Sequence, residues 1–210
     1  EEVGQEGLVT TLIMGHVETA KSLLKLADAG KLELHTIPQG QFSLLIEGQA
    51  DGRYSRESQV GVGTFLDPRV GPGSAVSAGA TRQLIEAAGD GLRYSLPKLE
   101  VALFNAPYAD RAGNIYVHHA ACLTEIRDGA RAVHRHGGLV IAQVSEVIEP
   151  GPEHEVYVPA DWMSAIVVSR RSEQTASVPQ RHFWPMFTVE AKVDERRALA
   201  DVRFCNDTLK

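Results

Sequence analysis

Between Gly7 and Ile46 the apolar residues switch back and forth between two spacings, and that switching restricts the fold more than any other feature of the chain. Gly7 to Met14 (GLVTTLIM) is a short β-rich apolar run. Val17, Ala20, Leu24 and Ala27 then recur at i, i+3, i+7 and i+10, the stripe of an amphipathic helix, and Gly30 ends it. Leu32 to Ile37 reads as a second strand, and Phe42, Leu45 and Ile46 as the face of a second helix. Strand, helix, strand, helix in this order predicts βαβ units, a mainly parallel sheet and right-handed crossovers.

The rest of the chain extends the pattern with one interruption. Gln59 to Pro68 (QVGVGTFLDP) and Val70 to Ser74 are glycine-rich, and the spacing predicts a buried strand that runs into an irregular loop over about residues 65–80. A loop of that length inside a domain is usually functional. Leu99 to Asn105 reads as a buried strand, Ala109 to Asn114 as a turn that feeds Ile115 to Val117, and Leu123, Ile126, Ala130 and Val133 as a helix stripe. That helix closes with His134, Arg135 and His136 at its negative end and Gly137-Gly138 beyond. Leu139 to Val144 is the most apolar strand and belongs at the centre of a sheet, with Val156 to Val158 and Ala165 to Val168 as further strands. The pattern weakens from about Ser172 to Glu190, and a short charged helix-like piece follows near Asp194 to Phe204. The expected organisation is one domain over residues 1–170, with 171–210 as a linker toward a following half.

Composition excludes several classes. With 43% hydrophobic and 23% charged residues the chain is ordinary globular material, and 210 residues suffice for a core without staples. A formal net charge of −6 with no Lys/Arg cluster excludes a nucleic-acid footprint. No run approaches the roughly 20 apolar residues of a membrane span, the N-terminus EEVGQEG is acidic, and Cys122 and Cys205 fit no ligand spacing. A cytoplasmic protein is the expectation. His118-His119 and His134-x-His136 lack the acid or cysteine partners of a metal site, so no metal is expected. Gly61-x-Gly63 and Gly71-x-Gly73 lack the third glycine of a dinucleotide fingerprint, and no G-x-S-x-G elbow is present.

Gln39, in Thr36-Ile37-Pro38-Gln39-Gly40, is the residue that calls for a reason. It follows a predicted parallel strand and precedes a helix, the place where open α/β sheets bind ligands. An uncharged amide there either caps the helix and fills the turn, or donates to a polarised carbonyl without forming an ion pair with an anionic reactant.

The motifs TIPQG (36–40), VGVGTFLDPR (60–69), ADRAGNI (109–115), GGLVIAQV (137–144) and VPADWMSAIVV (158–168), in this order, resemble the first (α) half of the family I coenzyme A transferases of the acetate, propionate and 3-oxoacid type. The resemblance covers residues 7–169. It implies an open, mostly parallel α/β sheet flanked by helices, the fold shared with sugar-phosphate isomerases. The family's first strand and its glycine loop have no counterpart in the sequence, which leaves a sheet edge to be occupied by other sequence or another chain.

The implied activity is transfer of coenzyme A between an acyl-CoA and a small free carboxylate through a covalent glutamyl-CoA intermediate. The acyl-CoA thioester is a substrate, and no cofactor is implied. The nucleophilic glutamate belongs to the family's second half, on the same chain or a β subunit, so no glutamate here inherits that role and this segment alone is expected to be inactive. Gln39 matches the family glutamine that helps hold the oxyanion. Gly15, Gly40, Gly61, Gly63 and Thr64 match positions that line the substrate, and Asp110, Gly113 and Asn114 match a turn-shaping motif. Association into an oligomer is expected. Two other readings stand beside this one. The first is an acyl-carrier-protein transferase, the α subunit of malonate decarboxylase or citrate lyase, whose chains share the GG-V-IAQV and PADW motifs. The second is a non-catalytic half-domain that binds a ligand or partner.

Overall fold

The computed structural model describes residues 3–18, 20–120 and 122–170, together with Asp194 and Arg196. These pack as two units, Glu1–Lys98 and Leu99–Lys210. The linker and charged piece expected beyond residue 170 lie, those two residues apart, outside the described residues.

Unit one opens with the βαβ element that the sequence predicts. Strand β1 (Thr11–Met14) pairs in parallel with β2 (Glu33–Thr36), Met14 beside Thr36, and helix α1 (Lys21–Asp28) connects them. α1 buries Leu23 and Ala27 against Leu32 and Leu34, with Val17, Ala20 and Leu24 at the margin of the same cluster. Gly30 carries φ +69°, the left-handed conformation that glycine adopts without a Cβ penalty, and its N–H bonds the Ala27 carbonyl at 3.0 Å. Among the described residues β1 pairs with β2 alone.

β2 runs through Ile37 and Pro38 into α2 (Gln39–Ala50). Pro38 is the N-cap, at φ −52° and ψ 131°, and its carbonyl accepts the N–H groups of Gln41 (2.8 Å) and Phe42 (3.0 Å). The fixed proline φ stops the strand and sets the geometry from which the helix departs. α2 buries Leu45, Ile46, Gln49 and Ala50; the Gln49 amide donates to the Pro97 carbonyl at 2.8 Å.

The three short strands that follow are not visible in the sequence pattern. β3 (Ser55–Ser58), β4 (Ile85–Ala88) and β5 (Gly91–Ser95) form an antiparallel sheet with β5 in the middle. Gly89, at φ +58°, sits in the tight turn from β4 to β5. SRES and IEAA are too polar and too short to show a period of two, so only their pairing defines them. The strand expected from Gln59 onward ends instead at Ser58. Gly61 (φ +88°) and Gly63 (φ +73°) turn the backbone left-handed, and turn bonds from Val62, Thr64, Asp67 and Val70 N–H groups replace ladder bonds.

Unit two is a four-stranded sheet in the order β7-β6-β8-β9. β6 (Val101–Asp110), β8 (Leu139–Ile148) and β9 (Ala165–Val168) are parallel, and β7 (Ile115–Tyr116) returns antiparallel to β6. Helix α3 (Ile126–Arg135) packs Ala130 and Val133 on Ala106, Val140, Ala142 and Val144. β8 lies between two parallel neighbours, as its apolar sequence requires. Val158 makes only an isolated bridge to Ile115, and short 3₁₀ turns at Glu153–Glu155 and Ala160–Trp162 take the place of the strand expected at Val156–Val158. Among the described residues no helix is long and apolar enough to cross a membrane.

Candidate functional site

Gly15 and Gln39 meet at the carboxyl ends of the parallel pair. β1 ends at Met14, whose carbonyl accepts the Ile37 N–H at 3.2 Å, so the residues that follow the two strands are held side by side. A Cβ at Gly15 would run into the Gln39 Oε1 atom and would stand 3.1 Å from the Gln39 Cα. Gly15 is therefore the surface on which the Gln39 side chain rests. Gln39 is solvent-exposed at the first turn of α2, while Gln41, two residues on, is buried with no hydrogen-bond partner for its Oε1. A Cβ at Gly40 would meet nothing within 4 Å, so packing does not demand glycine there.

Gly61, Gly63 and Thr64 form a second piece. Thr64 Oγ1 donates to the Gly61 carbonyl (2.7 Å) and accepts from the Leu66 N–H (3.2 Å), and Tyr94 Oη donates to the Val60 carbonyl at 2.5 Å. A Cβ on Gly61 would strike Tyr94 Oη, and its other neighbours are Leu92 and Leu66 rather than Gln39. The structure thus brings Gly15 and Gln39 together and holds Gly61 to Thr64 as a separate rigid turn.

The residue that fixes this turn is Asp67, which the sequence reading did not single out. Its carboxylate is buried (2% exposed) and takes two bonds from the Arg69 guanidinium (2.8 and 2.9 Å), with further bonds from the Gly63 N–H and the Arg69 N–H, both 3.0 Å. The bidentate arginine and these N–H groups hold the Asp67 carboxyl well below the ordinary carboxylate range. Arg69 also reaches the Gly89 carbonyl at 3.1 Å, which joins the loop to the β4–β5 turn. An acid two residues before an arginine in LDPR was the available signal.

A second unforeseen group lies on β2. His35 is fully buried; its Nδ1 shares a 2.9 Å hydrogen bond with Ser74 Oγ, and its Nε2 has no hydrogen-bond partner. Burial lowers its pKa, with Glu33 opposing. The Glu33 carboxylate accepts bonds from Thr81 Oγ1 (2.8 Å) and the Thr81 N–H (3.1 Å), which lower its own pKa.

Asp110, Gly113 and Asn114 shape a turn in unit two. The buried Asp110 carboxylate accepts from Gly113 N–H (2.8 Å), Asn114 N–H (2.9 Å), Asn114 Nδ2 (2.8 Å) and Tyr116 Oη (2.9 Å). Asn114 Oδ1 then accepts the Ala160 N–H at 2.9 Å. The histidines have local partners too. His118 faces Glu155 at 3.2 Å, His119 Nδ1 contacts Tyr108 Oη at 3.2 Å, His134 stacks on Trp162, and His136 Nδ1 bonds the Leu99 carbonyl at 2.9 Å. Among the described residues no three His, Cys, Asp or Glu side chains converge as metal ligands would.

A cleft of about 280 Å³ lies along α2, lined by Leu44, Leu45, Glu47, Gly48, Arg53, Ser55 and Arg56. Arg53 is paired with Asp51 at 2.9 Å, and Arg56 and Glu47 share the wall.

Residues 76–194 match the family model described as malonate decarboxylase, alpha subunit, transporter. The caffeate CoA-transferase of Acetobacterium woodii is 36% identical over 145 residues, which covers 68% of this chain and 28% of that protein. The crystal structure of the acyl-CoA transferase YdiF from E. coli O157:H7, in a thioester complex with CoA, superposes with TM-score 0.78 at 25% identity over 83% of this chain and 37% of that one. Glutaconate coenzyme A-transferase from Acidaminococcus fermentans shares the fold at TM-score 0.60 and 16% identity, over 78% of this chain and 56% of that one. The fold is that of the coenzyme A transferases. The chain belongs to the family I coenzyme A transferases, and its residues 76–194 carry the signature of the malonate decarboxylase α subunit within that class. It spans 28–33% of the length of the curated relatives it matches.

Proposed function

We propose that this chain supplies one half of the active site of an enzyme that moves coenzyme A between an acyl-CoA and a small carboxylate. A glutamate carboxylate, contributed by further polypeptide, attacks the thioester carbonyl; an oxyanion forms, the C–S bond breaks and CoA leaves as thiolate. The thiolate then attacks the glutamyl carbonyl of the resulting anhydride, which releases the acyl group as a carboxylate and leaves a glutamyl-CoA thioester. The acceptor carboxylate reverses the sequence. The Gln39 amide donates to the oxyanion that each attack develops. An amide suits the position because a carboxylate there would repel both the nucleophile and the acid substrate. Gly40, Gly63 and Thr64 line the substrate, Gly15 and Gly61 contribute to that wall by seating Gln39 and shaping the turn, and the segment without its other half does not turn over.

The observation that carries this reading is the Gln39 side chain seated on Gly15 at the carboxyl ends of two parallel strands. The named activities of the sequence and structure relatives support it. The experiment is intact-mass analysis of the full-length protein, with any partner that copurifies, after incubation with acyl-CoA. A covalent CoA adduct on a glutamate is expected. Gln39→Ala should lower turnover on the order of 10²–10³-fold, the cost of one oxyanion donor, with an unchanged fold because Gln39 is exposed. Near-wild-type turnover in that variant would remove Gln39 from the mechanism.

The family match over residues 76–194 favours one second reading, delivery of the acyl group to a carrier-protein thiol. Acyl transfer to a pantetheinylated carrier protein in place of acetate, followed by mass, separates the two.

A further inference from the structure

The two pieces of the candidate site are far apart in sequence, and a single path of bonds links them. From the turn side, the Asp67 carboxylate holds the Gly63 N–H (3.0 Å), and the Phe65 carbonyl accepts the Gly73 N–H (3.0 Å). Gly71 approaches the Phe65 backbone so closely that there is no room for a Cβ at that crossing. Ser74 comes next, and it bonds β2 twice. Its carbonyl accepts the Thr36 N–H (2.8 Å), and its Oγ meets His35 Nδ1 (2.9 Å) inside the protein, His35 being 0% and Ser74 1% exposed. The neighbouring residues continue the seam, because the Val76 N–H reaches the Leu34 carbonyl (2.8 Å) and Ser77 Oγ accepts the Leu34 N–H (2.9 Å). Three residues beyond Thr36, past the fixed φ of Pro38, stands Gln39.

A wholly buried imidazole whose Nε2 makes no hydrogen bond and only faces the Glu33 carboxylate at 3.8 Å is a costly group to keep in the core. A buried side chain of that kind is retained when it fixes a geometry that apolar packing would leave loose. We propose that His35, through its buried bond to Ser74, is a positioning residue that fixes the direction in which β2 presents the Gln39 amide and keeps it in register with the Gly61–Thr64 turn. The inference rests on the role given to Gln39 above. A shift of about 1 Å at a reacting group can cost on the order of 10²-fold in rate, so a single buried hydrogen bond upstream of the site is enough to matter.

The test uses the full-length protein with its partner and measures kcat and KM for CoA transfer in five variants: His35→Phe, His35→Asn, Ser74→Ala, Gln39→Ala and the double variant His35→Phe/Gln39→Ala. His35→Phe should lower kcat on the order of 10–100-fold while KM for the acyl-CoA stays within about threefold. His35→Asn, whose amide can stand where Nδ1 stands, should recover most of that loss. In the Gln39→Ala background His35→Phe should cost nothing further, because the donor it aims is already gone. An equal loss in both backgrounds, or no recovery by asparagine in a folded protein, would overturn the inference. Should His35→Phe fail to fold, Ser74→Ala deletes one hydroxyl and leaves the backbone clamp. It should show the same fall in kcat and the same dependence on Gln39, and an unchanged kcat would overturn the proposal. A wild-type protein that transfers CoA while these variants keep its kcat removes this inference alone. A wild-type protein that neither forms an adduct nor transfers CoA removes the proposed function, and this inference with it.

Discussion

The two units reach a buried interior by different means. In unit one the buried polar side chains are His35, Gln41, Gln49, Asp67 and Ser74; among the described residues of unit two Asp110 alone is in that class. The apolar clusters differ in the same sense. Unit two joins β6, β8, β9 and α3 in one continuous cluster of Val, Ala and Ile, whereas α1, β1 and β2 of unit one share a small cluster around Leu23 and Leu34. A sheet built on two ten-residue parallel strands, with the short β9 beside them, holds itself by area, while a unit made of a two-stranded sheet, a hairpin sheet and a 26-residue loop (59–84) fixes its loops by hydrogen bonds. Those bonds surround the residues proposed to act on substrate. The lesson is that in unit one the buried polar groups and the proposed site residues share one hydrogen-bonded construction, whereas the interior of unit two is mainly apolar.

That contrast can be broken. The largest expected effect is in unit two, where Ile115→Ala would empty a fully buried site between β7 and its neighbours and cost about 2–5 kcal/mol of stability by urea unfolding. If it cost no more than Ser74→Ala in unit one, the contrast in how the units are held would be wrong. Next in size is Tyr116→Phe, which takes one donor from the Asp110 carboxylate and the acceptor from the Gly151 N–H (3.1 Å) and should cost about 1–3 kcal/mol, with catalysis untouched in whatever protein remains folded. A selective fall in kcat there would move part of the site into unit two.

The smallest effect is a pH effect that sharpens the comparison. Because the folded Asp67 carboxyl titrates well below the unfolded value of about 3.9, it contributes stability above that value, and this contribution is lost only as pH falls through the lower folded value. The Tm advantage of wild type over Asp67→Asn should therefore be level between about pH 5 and 8 and shrink below about pH 4. An advantage that already vanished near neutral pH would mean that the Arg69 clasp does not hold this loop. His35 gives the complementary case. Burial lowers its folded pKa below the unfolded value of about 6.5, so stability should fall as the pH drops below that value, and His35→Asn should abolish the slope. The groups that face it are Ser74, Glu33 and, more weakly, Arg82.

Much of the fold was legible because period and burial coincide. The α1 stripe, the βαβ order and the apolar run of β8 each appear where the sequence predicts, since each carries a set of apolar side chains into the interior, and Ala165 to Val168 appears as the strand predicted beside β8, with Ile166 packed on the core. The three strands β3, β4 and β5 were not legible, because SRES and IEAA owe their conformation to their partners and carry no period of their own. Gln39 and Gly15 could be picked out from strand-end position and motif, since both lie next to punctuation that a sequence shows, a proline and a strand end. His35 and Ser74 could not, and Asp67 and Arg69 offered only their spacing in LDPR. A histidine in the middle of a short strand looks like any interior residue until the loop that crosses it is in place, and Asp67 reads as turn chemistry until Arg69 and the Gly63 N–H close on it.

The sequence by itself determined the helices, the apolar strands and the chemical type of the residue at the strand end, because spacing along one chain decides which face is apolar and where a helix begins. The tertiary structure alone decided that Gly15 is the seat of Gln39, that the glycine turn is locked by an ion pair, and that residues 35 and 74 share a hydrogen bond. The physical reason is one of range. A hydrogen bond or a close backbone approach acts over about 3 Å in space and leaves no mark at a separation of some 40 residues in the chain, whereas burial of a helix face is written into every third or fourth residue.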